Sequence, residues 1–201
     1  MIHAGNPLVL GSASPRRRDF IASLGLPFVV RTAPVDEAVL AGERPDVYVD
    51  RVTRAKLEAV QALALGIAAG ILVADTVVVA PDGGLLGKPR DDDHARSMLE
   101  RLSGVTHDVT TQFVLAPCSA GAAAAHIQAV TTRVTFRSLT AGEVRAYVAA
   151  GEGRDKAGSY AIQGDAASFV ERIEGSFTNV VGLPLCEVVL ALRALGWVKA
   201  D

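Results

Sequence analysis

The chain has 201 residues and a formal net charge of -2, from 20 lysines and arginines against 22 aspartates and glutamates. Its residues are 50% hydrophobic and 21% charged, which excludes a disordered chain. The near-neutral balance excludes a broad, strongly basic nucleic-acid surface, although a few clustered cations could still bind a small anion.

The sequence shows neither a membrane span nor a secretion signal, since its apolar runs are short and no basic region precedes the first of them. Two cysteines, Cys118 and Cys186, are too few for a disulfide scaffold or a metal cluster. We therefore expect a single domain over residues 1–201, located in the cytoplasm, that binds neither membrane nor nucleic acid.

The first segment predicts a strand, a loop and a helix. An apolar run at 7–10 is followed by a helix with Ser14 as N-cap, Pro15 at its first position and Gly25 as its stop. A second strand is predicted at 27–31.

Three arginines, Arg16 to Arg18, begin this first helix, although cations there oppose the helix dipole. Their position is better explained if an anion binds at the helix start. A solvated basic turn is an equally consistent interpretation.

A long helix is predicted from Pro45 to about Leu65. Lys56 falls on its apolar stripe, which suits either a snorkelling lysine or a cation held for function. The stripe consists of Val49, Val52, Val60 and Leu63.

Residues 70–81 predict a buried strand that carries Asp75 followed by Thr76. An unpaired aspartate inside an apolar strand costs several kcal/mol, roughly, so we interpret it as a strand end that opens into a cleft near a metal or another cation. The alternative is an aspartate bound to backbone amides at a sheet edge. Glu37, on the loop after the second strand, could complete with Asp75 an oxygen-ligand site for Mg²⁺ or Mn²⁺.

The remaining elements mix strands and helices without strict alternation, and the middle of the chain suggests antiparallel hairpins. We therefore predict an α/β fold with a mixed sheet rather than a doubly wound parallel one. The strands are expected at 85–86, 107–115, 127–136, 158–164 and 168–173, the helices from Asp91 to Gly104, from Ala141 to Ala150 and from Pro184 to about Leu195, and an Ala/Gly-rich hairpin tip at 116–125.

Two further groups could recognise a nucleotide. Lys88 and Lys156, together with Lys56 and Arg16, could neutralise a triphosphate. Gln163 ends a short apolar strand, and its amide offers a donor and an acceptor that suit the edge of a nucleobase, or else it simply forms a turn.

Together these segments resemble the Maf family of nucleotide pyrophosphatases over nearly the whole chain. The motifs that carry the resemblance are Ser12-Ala-Ser-Pro-Arg-Arg17, Glu37, Arg54-Ala-Lys56, Ala74-Asp-Thr-Val-Val78, Gly87-Lys-Pro-Arg90, Leu102-Ser-Gly104, Asp155-Lys-Ala-Gly-Ser-Tyr-Ala-Ile-Gln-Gly164 and Gly175-Ser-Phe-Thr-Asn-Val-Val-Gly-Leu-Pro184.

The resemblance implies hydrolysis of a nucleoside triphosphate to the monophosphate and pyrophosphate with the help of a divalent metal, Mg²⁺ or Mn²⁺. It also implies an elongated, twisted mixed sheet with flanking helices in two lobes around a cleft, like that of inosine triphosphate pyrophosphatases, and a homodimer. A non-catalytic nucleotide-binding regulator of cell division is the alternative function.

The resemblance also assigns roles to residues. The catalytic set is Asp75, Glu37, Lys56 and Lys88, with Asp75 and Glu37 as the metal ligands. In the branch that acts on dTTP and UTP, specificity is associated with positions that fall on Arg16, Thr76 and Gln163, all present in this sequence. Further substrate contacts are expected from Ser12, Ser14, Arg17 and Lys156.

Overall fold

One seven-stranded mixed sheet organises the computed structural model, which describes residues 1–64, 68–118 and 125–199. The strands follow the order β2-β1-β3-β5-β6-β7, and β4 pairs with one end of β3. Their bounds are β1 Leu8–Leu10, β2 Phe28–Val30, β3 Gly70–Val79, β4 Leu85–Leu86, β5 Thr106–Pro117, β6 His126–Phe136 and β7 Val170–Glu174.

Six α-helices flank this sheet within the described residues. The first two follow β1 and β2, so β1 pairs in parallel with both β2 and β3, as crossover connections require. The helices are α1 Pro15–Ser23, α2 Pro45–Ala64, α3 Asp92–Leu102, α4 Ala141–Ala150, α5 Phe177–Val181 and α6 Leu185–Ala194.

The centre of the sheet is antiparallel, because β3, β5, β6 and β7 pair consecutively in that sense. The predicted mixed α/β sheet with antiparallel pairs in the middle of the chain is therefore confirmed. Residues 119–124 of the predicted hairpin tip, and the predicted helix end at Leu65, lie outside the described residues.

Alternate residues of β3 separate two sets of helices. Ile71, Val73 and Val77 pack on the side of α2, whereas Leu72 and Val78 pack on the opposite side, in hydrophobic clusters with α1 and α6 or with α3 and α4. Adjacent strand residues point to opposite faces. Asp75 and Thr76, although neighbours in sequence, therefore lie on different faces of the sheet.

A gap along one edge of β3 creates the cleft of the protein. β1 pairs with β3 only as far as Leu72, and β4 pairs with it only from Val78 onward. Among the described residues, no strand pairs with this side of residues 73–77. Asp75 therefore lies in the middle of a ten-residue strand and not at a strand end, yet it still faces open space.

The apolar stripe of α2 is correct except at its last member. Val49, Val52 and Val60 are buried, but Leu63 is 47% exposed, so its predicted place in the core is wrong. At 3.6 residues per turn, the position four residues after Val60 faces inward, and Ala64 occupies it.

The predicted strand at 158–164 is wrong. Residues Ala157–Ser159 form a 3₁₀ turn in which Gly158 and Ser159 have φ angles of +69° and +60°. Such left-handed backbone cannot continue a pleated strand. The segment instead continues into a tight turn that ends at Gly164.

Two further boundaries near the C-terminus differ from the prediction. The strand expected at 168–173 begins only at Val170, because Asp165–Phe169 forms a 3₁₀ turn. The short helix α5 was not predicted; Ser176 caps it by accepting a hydrogen bond from the backbone N–H of Asn179. In the described ranges, no helix combines the length and the apolar character that crossing a bilayer requires.

A buried histidine on β5, His107, lies in the core beside β6 and Tyr160. His107 is 2% exposed, its Nε2 is 2.9 Å from the Tyr160 hydroxyl oxygen, and it packs edge-on against Phe136. Burial lowers the pKa of His107 to about 4. The folded protein therefore holds this imidazole neutral at pH values where an exposed histidine is already protonated.

We expect stability to fall as the pH drops from 6.5 towards 4. The unfolded chain takes up a proton on His107 near pH 6.5, whereas the folded chain takes it up only near pH 4, so acid favours unfolding in this window by up to about 3 kcal/mol. Urea denaturation of wild type and His107→Gln at several pH values measures the effect. A wild-type slope in this window no steeper than that of the variant would contradict it.

Candidate active site

The gap beside β3 opens into a cleft of about 1320 Å³. Its lining comes from the β1–α1 loop with the start of α1, the loop before α2, α2 itself, the exposed edge of β3, residues 85–98, residues 152–164 and residues 180–182. Every candidate site residue from the sequence lines this cleft. They are Ser12, Ser14, Arg16, Arg17, Glu37, Lys56, Asp75, Thr76, Lys88, Lys156 and Gln163.

A chain of alternating charges lies on the α2 side of the cleft. The Lys56 Nζ donates to Asp75 Oδ1 at 2.6 Å and also lies 2.7 Å from Glu37 Oε1. Glu37 Oε2 in turn accepts from Lys88 Nζ at 2.9 Å. The sequence predicted a cation near Asp75, and Lys56 is that cation.

Position on α2 explains why Lys56 reaches this point. It lies between Val52 and Val60, both of which anchor the helix to the sheet. The lysine side chain is only 15% exposed. It is therefore directed along the inner face of α2 to the carboxylates, rather than out to solvent as a snorkelling lysine would be.

The charges of the cleft act on the pKa values of its members. Burial opposes ionisation of Glu37, but hydrogen bonds from Lys56 and Lys88 and their charges outweigh it and lower the pKa of Glu37 to about 2. Burial, and then the nearby charges of Asp75 and Glu37, raise the pKa of Tyr48. At neutral pH the site thus presents an ionised Glu37 and a neutral phenol that donates to the Glu37 carbonyl.

Arg17 is buried on the opposite side of the cleft floor and holds three parts of the fold together. Its Nε donates to the Gly182 carbonyl at 2.7 Å, its Nη2 to Thr76 Oγ1 at 3.0 Å and its Nη1 to Ser12 Oγ at 3.3 Å. Burial lowers the pKa of Arg17, and the charge of Asp75 opposes that effect. A solvated basic turn describes the exposed Arg18 but is wrong for Arg17.

Thr76 continues this contact into a polar seam through the core. Its hydroxyl lies 2.8 Å from the Thr111 hydroxyl, which donates to the Asn179 carbonyl at 3.1 Å. The Asn179 amide donates to Thr132 Oγ1 and to the Val109 carbonyl. Two of the hydroxyl contacts of Thr76 are thus made inside the protein.

The start of α1 faces the cleft without a side-chain cap. Ser14 occupies the predicted N-cap position, but its side chain makes no capping hydrogen bond. Its own N–H donates to Ser12 Oγ at 3.3 Å, and Arg16 Nε donates to the Val181 carbonyl at 3.3 Å. The first N–H groups of this helix are therefore available to an anion in the cleft.

Residues 152–164 form the wall opposite α2. Lys156 Nζ donates to the Glu152 carbonyl at 3.1 Å and to the Asp155 carboxylate, so its ammonium is engaged within this wall. Gln163 is exposed and lines the cleft beside Gly164. Gln163 therefore lies on a turn, as the alternative interpretation of the sequence had it, and not at the end of a strand.

Asp75 and Glu37 suit a hard divalent cation only in part. In the described portion of the chain, no group of three or more His, Cys, Asp or Glu side chains could hold a metal by itself. Mg²⁺, however, is commonly bound by one or two carboxylates together with waters and the phosphates of its substrate. The two carboxylates converge on one lysine ammonium, so a cation held there would need further ligands from waters and a bound phosphate.

Sequence reasoning missed three contributors to the site. Tyr48 and Thr111 carry no motif signal, because their role depends on which strand and helix face them. Asn179 belongs to a motif that supported the family resemblance, but its buried amide contacts could not be read from spacing.

Comparison with known proteins places this cleft in a family context. A family model described as Maf-like protein matches residues 7–195. The dTTP/UTP pyrophosphatase of Geotalea uraniireducens (strain Rf4) is 46% identical over 199 residues, which cover 99% of this chain and 100% of that protein. That of Geobacter sp. (strain M21) is 49% identical over 189 residues, 94% of this chain and 95% of that protein.

A solved structure, the nucleoside-triphosphatase / dITP/XTP pyrophosphatase from Mycobacterium abscessus, aligns with 96% of this chain and 99% of its own. Its sequence identity to this chain is 10% and the TM-score is 0.46.

Replacing Arg17 with lysine tests its structural role. Lysine keeps the charge but cannot reach three acceptors with a planar fork, so we expect a loss of about 2 kcal/mol in the free energy of unfolding. Arg18→Lys, at the exposed next position, is the matched control. Equal unfolding free energies of the two variants would contradict the assignment.

Proposed function

We propose that this chain, which belongs to the Maf family, is a nucleoside triphosphate pyrophosphatase that acts on dTTP and UTP. The relatives named dTTP/UTP pyrophosphatase support this substrate choice, since they are 46–49% identical over nearly the whole chain. The observation that carries the proposal is the buried aspartate at the cleft floor, paired to a lysine beside an uncapped helix start.

Asp75 is proposed as the general base. Lys56 holds one of its carboxylate oxygens, and the other is left to accept a proton from a water molecule. The water oxygen bonds to the α-phosphorus, the bond from that phosphorus to the α–β bridging oxygen breaks, and pyrophosphate leaves. A glutamate in place of Asp75 would shift the carboxylate by the length of one methylene group.

Cations around the cleft balance the triphosphate. Lys88 is 60% exposed, so its ammonium can leave Glu37 for a phosphate oxygen. Lys56 lies deeper in the cleft and stays paired with Asp75. The N–H groups at the start of α1 provide the positive end of the helix dipole beside Arg16. We propose Lys156 as a further phosphate contact that must first give up part of its bonding to Asp155.

A divalent cation, Mg²⁺ or Mn²⁺, is proposed to complete the site, held by Asp75 and Glu37. When bound it would neutralise phosphate charge and lower the pKa of water. Lys56 stays beside Glu37 and lowers its pKa even when Lys88 moves to a phosphate, so this carboxylate remains ionised as a ligand near neutral pH.

Base recognition is proposed for the opposite wall. The Gln163 amide can pair with the edge of uracil or thymine, which presents a donor and acceptors. Thr76 is proposed to act on base recognition indirectly. Its hydroxyl accepts a hydrogen bond from the Arg17 guanidinium and so helps to hold the floor of the cleft under the base. Arg16, beside this wall, and the hydroxyls of Ser12 and Ser14 complete the proposed substrate contacts.

We further propose that the chain is a single domain of two lobes around this cleft and acts as a cytoplasmic homodimer, as the resemblance implies. Light scattering coupled to gel filtration measures the oligomeric state.

A panel of nucleoside triphosphates with Mg²⁺ or Mn²⁺ tests the activity directly. We expect dTTP and UTP to give the monophosphate and pyrophosphate, detected by chromatography and a pyrophosphate assay, faster than CTP or GTP. Release of single phosphates instead of pyrophosphate would contradict attack at the α-phosphorus. Tight nucleotide binding without hydrolysis would instead support the non-catalytic regulator of cell division.

Asp75→Asn should lower kcat by at least about 10²–10⁴-fold, because an amide cannot accept the proton. Lys56 retains Glu37 as a partner, so the variant should stay folded, as circular dichroism can check. Asp19→Asn, at an exposed position of α1, is the control. A folded Asp75→Asn protein with near-normal kcat would overturn the proposed base.

A further inference from the structure

The turn that carries Gln163 is pinned at both ends by side chains from one neighbouring region. The N–H of Gly164 donates to the Ala161 carbonyl at 3.0 Å and closes the turn. The N–H of Ala161 donates to the Tyr147 hydroxyl at 3.0 Å, and the N–H of Asp165 donates to Glu152 Oε1 at 3.2 Å. Tyr147 lies on α4, and Glu152 follows its end.

The carboxylate of Glu152 lies directly against the glycine of this turn. A Cβ atom at position 164 would lie 1.6 Å from Glu152 Oε1, so a methyl group there would displace the carboxylate. The backbone also favours a glycine, because its φ of -112° is combined with a ψ of -145°, outside the β region that other residues adopt.

Glu152 is itself held in place by its surroundings. Its carbonyl accepts from Lys156 Nζ at 3.1 Å, and a Cβ on the next residue, Gly153, would lie 2.0 Å from the Ser159 carbonyl oxygen. The turn, Glu152 and Lys156 thus form one packed wall of the cleft.

The carboxylate of Glu152 is half-buried and lies beside the Tyr147 hydroxyl. Its Oε2 is buried and has no hydrogen-bond partner in the part of the chain that the structure describes, although burial and then Glu152 raise the pKa of the Tyr147 phenol. The one oxygen that is paired, Oε1, accepts from the turn itself.

A fixed turn matters for this particular side chain. A glutamine amide that rotates freely can pair with uracil or with cytosine, because flipping it exchanges the donor and the acceptor. Discrimination between the two bases therefore depends on where the amide stands relative to the base edge, which the position of its backbone sets. The anchors at Ala161 and Asp165 restrain the backbone of Gln163.

We propose that Glu152 is a positioning residue for substrate selectivity: it fixes the 161–165 turn so that the Gln163 amide selects uracil and thymine over cytosine. The inference rests on the proposed pyrophosphatase function and deepens it. Glu152 acts through Gln163 and does not touch the reacting phosphates.

The test compares kcat/KM for UTP and CTP in the full-length protein, since these substrates differ only in the base edge. Glu152→Ala should lower the UTP preference about tenfold, the effect of one lost charge-assisted hydrogen bond, mainly through a higher KM for UTP. Gln163→Ala should lower it similarly, and the double variant should show no further loss. Glu152→Gln, which keeps an acceptor oxygen, should retain most of the preference, and Glu171→Ala on the exposed face of β7 should retain all of it.

A paired substitution separates positioning from a general packing effect. Gly164→Ala in the wild type should lower the preference, because its methyl group displaces the carboxylate. The same substitution in the Glu152→Ala background should cause a smaller further change, because the space is then vacant and only the backbone strain at position 164 remains. Hydrogen exchange at the Asp165 amide should accelerate in Glu152→Ala and stay unchanged in Glu171→Ala.

An unchanged UTP/CTP ratio in Glu152→Ala, with or without faster exchange, would overturn the proposal. If that variant does not fold, Gly164→Ala decides it in the same way. A wild-type protein that hydrolyses no triphosphate would contradict the proposed function alone. The selectivity of the turn would then be measured from calorimetric Kd values for UTP and CTP, and equal losses of affinity for both nucleotides in Glu152→Ala would overturn the positioning role.

Discussion

The architecture of this protein depends on one ion pair, between Asp75 in the middle of β3 and Lys56 on α2. A carboxylate inside an apolar strand is tolerated only with a partner, and α2, which packs on this face of the sheet, supplies that partner. The pair thus ties α2 to β3 beside the gap in the sheet. Glu37 and Lys88 extend the same alternation of charge towards solvent. The net charge of -2 hides this concentration of charges around one cleft.

On the other face of the sheet, Arg17 also links separate elements, but its hydrogen-bond acceptors are neutral groups. Its guanidinium joins α1, β3 and the Gly182 carbonyl, and Thr76 extends the contact into the seam that ends at Asn179. This seam separates the hydrophobic cluster beside α1 and α6 from the one beside α3 and α4. The cleft floor is thus rigid on both sides, whereas Lys88 and Gln163 at its rim remain exposed. Rigid support beneath exposed groups is the arrangement that selective ligand binding requires.

Much of this could be predicted because some residues contradict their local pattern. Asp75 in an apolar strand and Lys56 on an apolar stripe each violate the rule for their element, and violations of this kind concentrate at functional sites. The mixed sheet followed from strands without strict alternation. The strand expected at 158–164 failed because left-handed φ angles at Gly158 and Ser159 arise from packing against β3 and cannot be seen in hydrophobic periodicity. The prediction that Leu63 is buried was wrong, because helical periodicity allows a step of either three or four residues after Val60, and the structure uses four.

The sequence by itself determined most of the elements, the family and the chemical types of the site residues, since these depend on local periodicity and on ordered motifs. Only the tertiary structure decided which of these residues bond to other protein groups and which remain exposed in the cleft. Arg17 and Lys156, which are cations like Lys88 in the sequence, are engaged by protein groups, because buried donors must find acceptors wherever the fold supplies them. Asp75 and Thr76 are adjacent in the chain, yet strand geometry sends them to opposite faces. Glu152 carries no signal in its own segment, because its role comes from its contact with Asp165, 13 residues away, which folding brings against it.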